Sequence, residues 1–180
     1  MQDQDDTAGE AAEAGRQPLL PAPLDRIFAT VHRVFEIAVI VLFCAIVVAA
    51  VLQVTNRFVV GRSLSWSEEF QRYGHIWLIF FAVPIGYRRA AHIGVDFIQK
   101  ALGERRAMVL DWIIDLAWMA LGAAIVVSTW ILLGVAWRQV SPGIGITMDK
   151  VYLGLVIGGC YLAFTAIERL LRKAIGVSRP

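Results

Sequence analysis

Ile37 to Val54, IAVIVLFCAIVVAAVLQV, is a run of 18 residues whose one polar side chain, Gln53, stands close to its end. That length is what an α-helix needs to cross the hydrocarbon layer of a bilayer. Its β-branched content would also suit a buried strand, but strands are shorter and the run carries no turn signal, so the reading is a transmembrane helix. The rest of the 180 residues must then be arranged around a membrane. A hydrophobic content of 58% and a mean hydropathy of +0.63 agree, since a water-facing surface would hold the apolar fraction near one half. A net charge of +2, with the basic residues lying beside apolar runs and forming no stripe, excludes nucleic acid as a partner. Cys44 and Cys160 each sit inside an apolar run, where a small buried hydrophobe is the ordinary role, and they give no disulfide or metal signal.

Residues 1–23 hold five acidic residues, one arginine and three prolines, and read as a disordered tail. They lack the basic start and apolar core of a secretory signal, so the first apolar run is expected to stay as an anchor. Leu24 to Glu36 is amphipathic, suited either to the interface or to extending the first span. Asn56 to Leu64 reads as the exit loop. A second helix is marked by Ser65 and Glu68 as a capping box, and its uncharged part, Tyr73 to Tyr87, reaches about 22 Å at 1.5 Å per residue. That is short of the hydrocarbon thickness, so Arg72, Arg88 and Arg89 must snorkel from its ends, and Pro84 is expected to bend it.

Residues 91–103 have Ile93, Phe97, Ile98, Ala101 and Leu102 near helical spacing, as in a short helix lying on the membrane surface. Val109 to Trp137 is the third span, long enough to tilt or protrude. Arg138 to Lys150 is a Gly/Pro-marked loop, Val151 to Ile167 a fourth span, and Glu168 to Pro180 a basic tail. The expected fold is an all-α integral membrane protein with transmembrane helices over about 35–55, 66–88, 109–137 and 150–168. Together they form one domain over 24–171, with an interfacial helix on the cytoplasmic side and a basic tail over 172–180. With the N-terminus inside, the inner segments carry twelve of the basic residues and the outer ones five, which places both termini in the cytoplasm.

Glu68 and Glu69 beside Arg72 form a solvent-facing cap with an ion pair, a charged edge turned towards a partner subunit, or, as the third and weakest reading, an ion or proton relay that only His75 could continue. His75 and His92 lack companions at metal-ligand spacing, because His92 with Asp96 supplies only two ligands on one short helix. Asp111 and Asp115 lie on one face of the third helix, where local pairing with Arg105 and Arg106 is expected, the alternative being that they receive an arginine of a partner. Trp66, Trp112 and Trp137 read as interfacial anchors, and Trp77, Trp118 and Trp130 as packing residues. Gly154 and Gly158 make a G-x-x-x-G face for close helix contact. No nucleophile and base, Walker or dinucleotide pattern is present, so neither an enzyme nor a cofactor is expected.

The W-x-E-E-x-x-R unit of Trp66, Glu68, Glu69 and Arg72, joined to Gly86, Arg88 and the H-I-x-V-D unit of His92 and Asp96, resembles the small membrane subunit of the tripartite ATP-independent periplasmic (TRAP) transporters, the DctQ-like family. The likeness runs from about Leu24 to Leu171. It implies a bacterial inner-membrane scaffold beside a large permease subunit, which imports a solute, an organic acid by expectation, delivered by a periplasmic binding protein and driven by a cation gradient. It also implies that Trp66, Glu68, Glu69, Arg72, Arg88, His92 and Asp96 serve helix placement and subunit contact. Partners are then the large permease, the binding protein and membrane lipid. The alternative is an autonomous homo-oligomeric channel or a small membrane assembly protein.

Overall fold

The computed structural model describes residues 22–61, 64–90 and 104–175. The expected interfacial helix over 91–103, with His92 and Asp96, lies outside the described residues, as do residues 1–21 and 176–180. Four helices follow one another: α1 (Ala22–Val59), α2 (Ser65–Ala90), α3 (Glu104–Ala136) and α4 (Met148–Ala174). They run up and down. α4 packs against α3 and α2, and α1 lies along α2. The N-terminus of α1 and the C-terminus of α4 share one end of the bundle, termed the termini end, and the α1–α2 and α3–α4 connections share the other, the loop end.

Several boundaries differ from expectation, among them that of α3, which starts at Glu104 instead of near Val109. α1 has 38 residues, about 57 Å at 1.5 Å per residue, because the amphipathic lead-in continues the helix and Asn56 to Val59 add another turn in place of an exit loop. The helix also takes in Ala22 and Pro23 from the expected tail. At the other end of the chain, α4 runs through Arg172 and Lys173 to Ala174, because those side chains find carboxylates inside the bundle. Arg172 and Lys173, placed by expectation in the basic tail, are helical and engaged.

α1 contacts its neighbours through a narrow seam. Phe28, His32, Ile46 and Ala49 are buried and Phe35, Val39, Leu42 and Gln53 half-buried, a spacing of three and four residues that keeps one stripe facing inward. Val34, Ile40, Val41, Phe43, Val48 and Val51 point outward. The same inversion holds across the bundle. His32, Thr165, Asp115, Ser67 and Ser141 are among the largest side chains fully enclosed, whereas Ile113, Leu116, Val127, Trp130 and Ile131 of α3 are exposed. A monomer in water rarely shows apolar surface on this scale; hydrocarbon around the bundle accounts for it. α1, α3 and α4 each contain a stretch long and apolar enough to cross a membrane. Cys44 and Cys160 are free thiols on this outer surface and so are not the buried hydrophobes expected.

Glycine sets the spacing at the centre. A Cβ on Gly122 would lie 2.9 Å from both the Ala163 nitrogen and the Gly159 carbonyl oxygen, so α3 and α4 cross backbone to backbone. Gly154 admits the Trp77 indole, whose Nε1–H donates to the Val151 carbonyl oxygen at 2.9 Å. Gly158 meets the backbone of Phe80. Pro84 is buried inside α2 and has no N–H, so the Phe80 carbonyl loses its normal helical donor, and Gly158 is the residue that lets α4 approach it. Gly158→Ala would place a Cβ 2.6 Å from the Phe80 Cβ and 2.9 Å from its carbonyl oxygen. It is therefore expected to cost about 1–3 kcal/mol, read as a lower thermal midpoint of the purified chain in detergent; an unchanged midpoint would show that the α2–α4 crossing is slack.

Candidate functional site

Two polar constellations close the bundle, one at each end. At the termini end Asp115 of α3, wholly enclosed, is the hub. It accepts a hydrogen bond from the Tyr87 hydroxyl of α2 and one from Arg169 Nε of α4 at 3.0 Å. Lys173 lies against the other carboxylate oxygen as an ion pair without an aligned hydrogen bond, and its ammonium donates to the Asp111 carbonyl at 3.0 Å. The Arg169 guanidinium also covers the Tyr87 ring at 4.7 Å. Beneath them Tyr87, Leu162 and Ala166 form a small apolar core with Trp118 and Ile114. The expected pairing of Asp115 with Arg106 on its own helix is replaced by pairing across helices: Arg106 is exposed, while α4 brings two cations to the enclosed carboxylate.

A second hub ties α1 to α4. The His32 ring, 2% exposed, has Nε2 at 2.5 Å from Glu168 and Nδ1 at 2.8 Å from the Tyr161 hydroxyl. Glu168 accepts from Arg172 Nε at 2.9 Å, and Arg172 reaches back to Asp25 on α1 at 2.9 Å. Around this chain of charges Phe35 stacks on Tyr161 with centroids 3.7 Å apart, and Phe28 meets Phe164 at 5.0 Å. Arg89 of α2 pairs with Glu36 of α1 nearer the surface. Arg88 is exposed.

At the loop end the adjacent carboxylates separate. Glu68 is exposed and pairs with Arg72 one turn on, a surface contact of little energetic weight. The Ser65 and Glu68 signature marks the helix start, but it is the Ser67 hydroxyl that donates to the Leu64 carbonyl. Glu69, 9% exposed, turns into the α3–α4 loop, where one of its oxygens accepts from the Ser141 hydroxyl and from the backbone N–H of Gly143 and Ile144, both at 2.9 Å. A Cβ on Gly143 would sit 2.8 Å from that carboxylate and 3.0 Å from the Ser65 carbonyl oxygen, so a side chain there would displace the Glu69 carboxylate from this position. Gln71 donates to Gln53, which lies inside α1 six residues before its end at Val59. Between these elements opens a cleft of about 350 Å³, lined by Gln53, Leu64, Ser65, Glu68, Glu69, Arg72, Pro142 and Gly143.

Of the residues singled out from the sequence, Glu68, Glu69 and Arg72 share this end. Trp66 is exposed beside them, and Arg88 is at the opposite end of α2. His75 is exposed, its Nδ1 on the Gln71 carbonyl. Gly154 and Gly158 lie in contacts within the chain. Missed were His32, Tyr161, Glu168, Arg169 and Lys173. A signal existed: Asp111 and Asp115 on α3 have the same four-residue spacing as Arg169 and Lys173 on α4, and His32 falls on the apolar stripe of Phe28 and Phe35.

A bundle that is apolar outside and charged inside, with Glu69, Asp115 and Glu168 each engaged by helices or loops of its own chain, belongs to the helical integral membrane proteins. The chain belongs to the DctQ component family of the tripartite ATP-independent periplasmic transporters, whose family model matches residues 46–176. It is similar to a TRAP transporter small permease of Haemophilus influenzae, 23% identical over 83% of this chain and 92% of that protein. The sialic acid TRAP transporter small permease SiaQ of Vibrio cholerae is also 23% identical, over 82% of this chain and 87% of that protein. The isethionate TRAP transporter permease DctMQ of Oleidesulfovibrio alaskensis is 26% identical over 58% of this chain, a stretch making up 17% of that protein. The chain is thus the small subunit of a TRAP transporter, an integral, multi-pass protein of the inner membrane and not an enzyme.

Proposed function

We propose that this subunit is the stationary support of its transporter: all four helices cross the membrane, both termini lie in the cytoplasm, and one flank holds a large permease that moves solute. The observation that carries this is the double closure of the bundle. α2, α3 and α4 meet at Asp115, α1 and α4 meet at Glu168, and α2 is tied to the α3–α4 loop by Glu69. Enclosed ion pairs of this kind resist rearrangement, because parting them leaves a charge in a medium of low dielectric. A body that moves as one piece suits a support. The relative in which the matching stretch makes up 17% of a permease favours a neighbour much larger than this chain. Relatives named for sialic acid and isethionate favour an organic acid as the cargo, moved by a cation gradient and handed over by a periplasmic binding protein. Trp66, Arg88, His92 and Asp96 remain proposed for helix placement and subunit contact.

Purification in mild detergent tests this. A tagged copy of the chain is expected to bring an untagged large permease with it, and liposomes holding the chain alone are expected to pass no solute or ion. Absence of the permease in several detergents, with uptake intact in a strain lacking this chain, would remove the support reading. Flux through the chain alone would favour an autonomous channel.

A further inference from the structure

The loop from Trp137 to Thr147 is held into one shape by its own backbone. Val140 and Thr147 form an antiparallel bridge, Met148 N–H donates to the Gln139 carbonyl at 2.9 Å, Ser141 N–H to Ile146 at 2.8 Å and Gly145 N–H to Ser141 at 3.0 Å. Gly145 supplies the positive φ of 75° that the turn needs. These pairings draw the two ends of the loop together, so Arg138 and Lys150 stand at its base, both exposed. Glu69 fastens the other side of the loop from within the bundle, through residues 141, 143 and 144.

Charge at this end is unevenly used. Glu68 is spent on Arg72 and Glu69 on the loop, whereas exposed Arg57, Arg138 and Lys150 pair with no carboxylate among the described residues. Arg138 merely lies over the neighbouring Trp137 ring at 5.1 Å. Asp149, next to Lys150, has one carboxylate oxygen enclosed without a hydrogen-bond partner, so the exposed charge of this face is predominantly cationic among the described residues, and its shape depends on a carboxylate that does not itself face outward.

We propose that Glu69 is a positioning residue for a docking edge, holding the α3–α4 loop so that Arg138 and Lys150 meet an acidic face of the soluble solute-binding partner. The inference rests on the reading that the loop end faces the periplasm and receives that partner. Exposed charges of one sign act mainly on the encounter, raising association rates in a way that salt screens. The carboxylate works as an acceptor. Glutamine at position 69 still offers an amide oxygen to the Gly143 and Ile144 N–H groups, whereas alanine offers none.

The test uses the complex of this chain with its large permease in nanodiscs, and as probe the solute-binding protein encoded with it, its binding followed by interferometry at low and high salt. Wild type is expected to associate faster at low salt, and Arg138→Glu with Lys150→Glu to slow association about tenfold or more. Glu69→Ala is expected to weaken binding about tenfold at unchanged permease recovery, and Glu69→Gln to stay within about twofold of wild type, as an acceptor role requires. Glu69→Ala binding like wild type, or Glu69→Gln failing as badly as alanine, overturns the positioning role. Should Glu69→Ala not assemble, Ser141→Ala removes one donor from the same contact; a several-fold weakening supports the proposal and wild-type binding overturns it. If wild type binds but neither salt nor the double charge reversal matters, the docking reading of this loop fails. If the reversal matters and Glu69→Ala does not, only the role of Glu69 fails.

Discussion

Asp115→Ala is expected to destabilise the bundle by about 3–5 kcal/mol, the usual penalty for removing one partner of an enclosed ion pair. The reason lies in what stays behind. Arg169 and Lys173 have side chains only 18% exposed, and both converge on Asp115, which is wholly enclosed. Without it two cations face each other in a space that α2 closes with the Tyr87 ring. Asp115→Asn keeps an acceptor for the Tyr87 hydroxyl and for Arg169, yet turns an amide towards Lys173, so an intermediate loss is expected. The decisive comparison is a triple variant, Asp115→Leu with Arg169→Leu and Lys173→Met. If the penalty comes from unpaired charge, exchanging the whole set for apolar groups recovers most of the stability lost by Asp115→Ala. Unfolding of the purified chain in mixed micelles, by denaturing detergent, measures all three. A loss below about 1 kcal/mol for Asp115→Ala would mean that water reaches the hub and that it does not lock α2, α3 and α4 together.

The sequence made one-dimensional features plain and left the pairings between helices hidden. Ile37 to Val54 announces a span because 18 residues with one polar group have few other fates. Gly154 and Gly158 announce a close approach, and α4 uses them on Trp77 and Phe80. Where α1 ends was harder: Asn56 and Arg57 resemble the start of a loop, yet nothing in the chain stops a helix before Gly61, which has a φ of 72°. The ion pairs were assigned to neighbours in sequence because only local spacing is visible there. Asp115 is 54 residues from Arg169 and Glu69 is 72 from Ser141, so each pairing exists only once the helices are packed. Adjacent Glu68 and Glu69 sit about 100° apart around α2, given 3.6 residues per turn, which sends one to water and the other to the loop. From composition they are indistinguishable. In the bundle one is a surface charge and the other a fastening.

Glu168→Ala is expected to be nearly as costly, about 3 kcal/mol or more, because it leaves His32 and Arg172 without their common acceptor in the packed space between α1 and α4. The loss should appear first in the amino-terminal half of α1. That half is held to α4 by His32, by Asp25 through Arg172 and by the ring contacts of Phe28 and Phe35, while its outward face has only lipid or water to meet. Hydrogen exchange is the suitable measurement, with faster exchange expected over residues 22–36 and little change around Gly74, where α1 and α2 touch at Ile46. A double-mutant cycle then separates the pair from its surroundings. His32→Ala and Glu168→Ala are expected to be coupled by about 1.5–3 kcal/mol, the range for a hydrogen bond to a charged group, since each removes the partner of the other. Additive losses within about 0.5 kcal/mol would show that Arg172 alone satisfies Glu168 and that His32 acts only as a packed ring between Tyr161 and Phe164. A coupled result with fast exchange confined to α1 would place the weakest seam of the support between α1 and α4, where α1 can loosen while α2, α3 and α4 stay joined at Asp115.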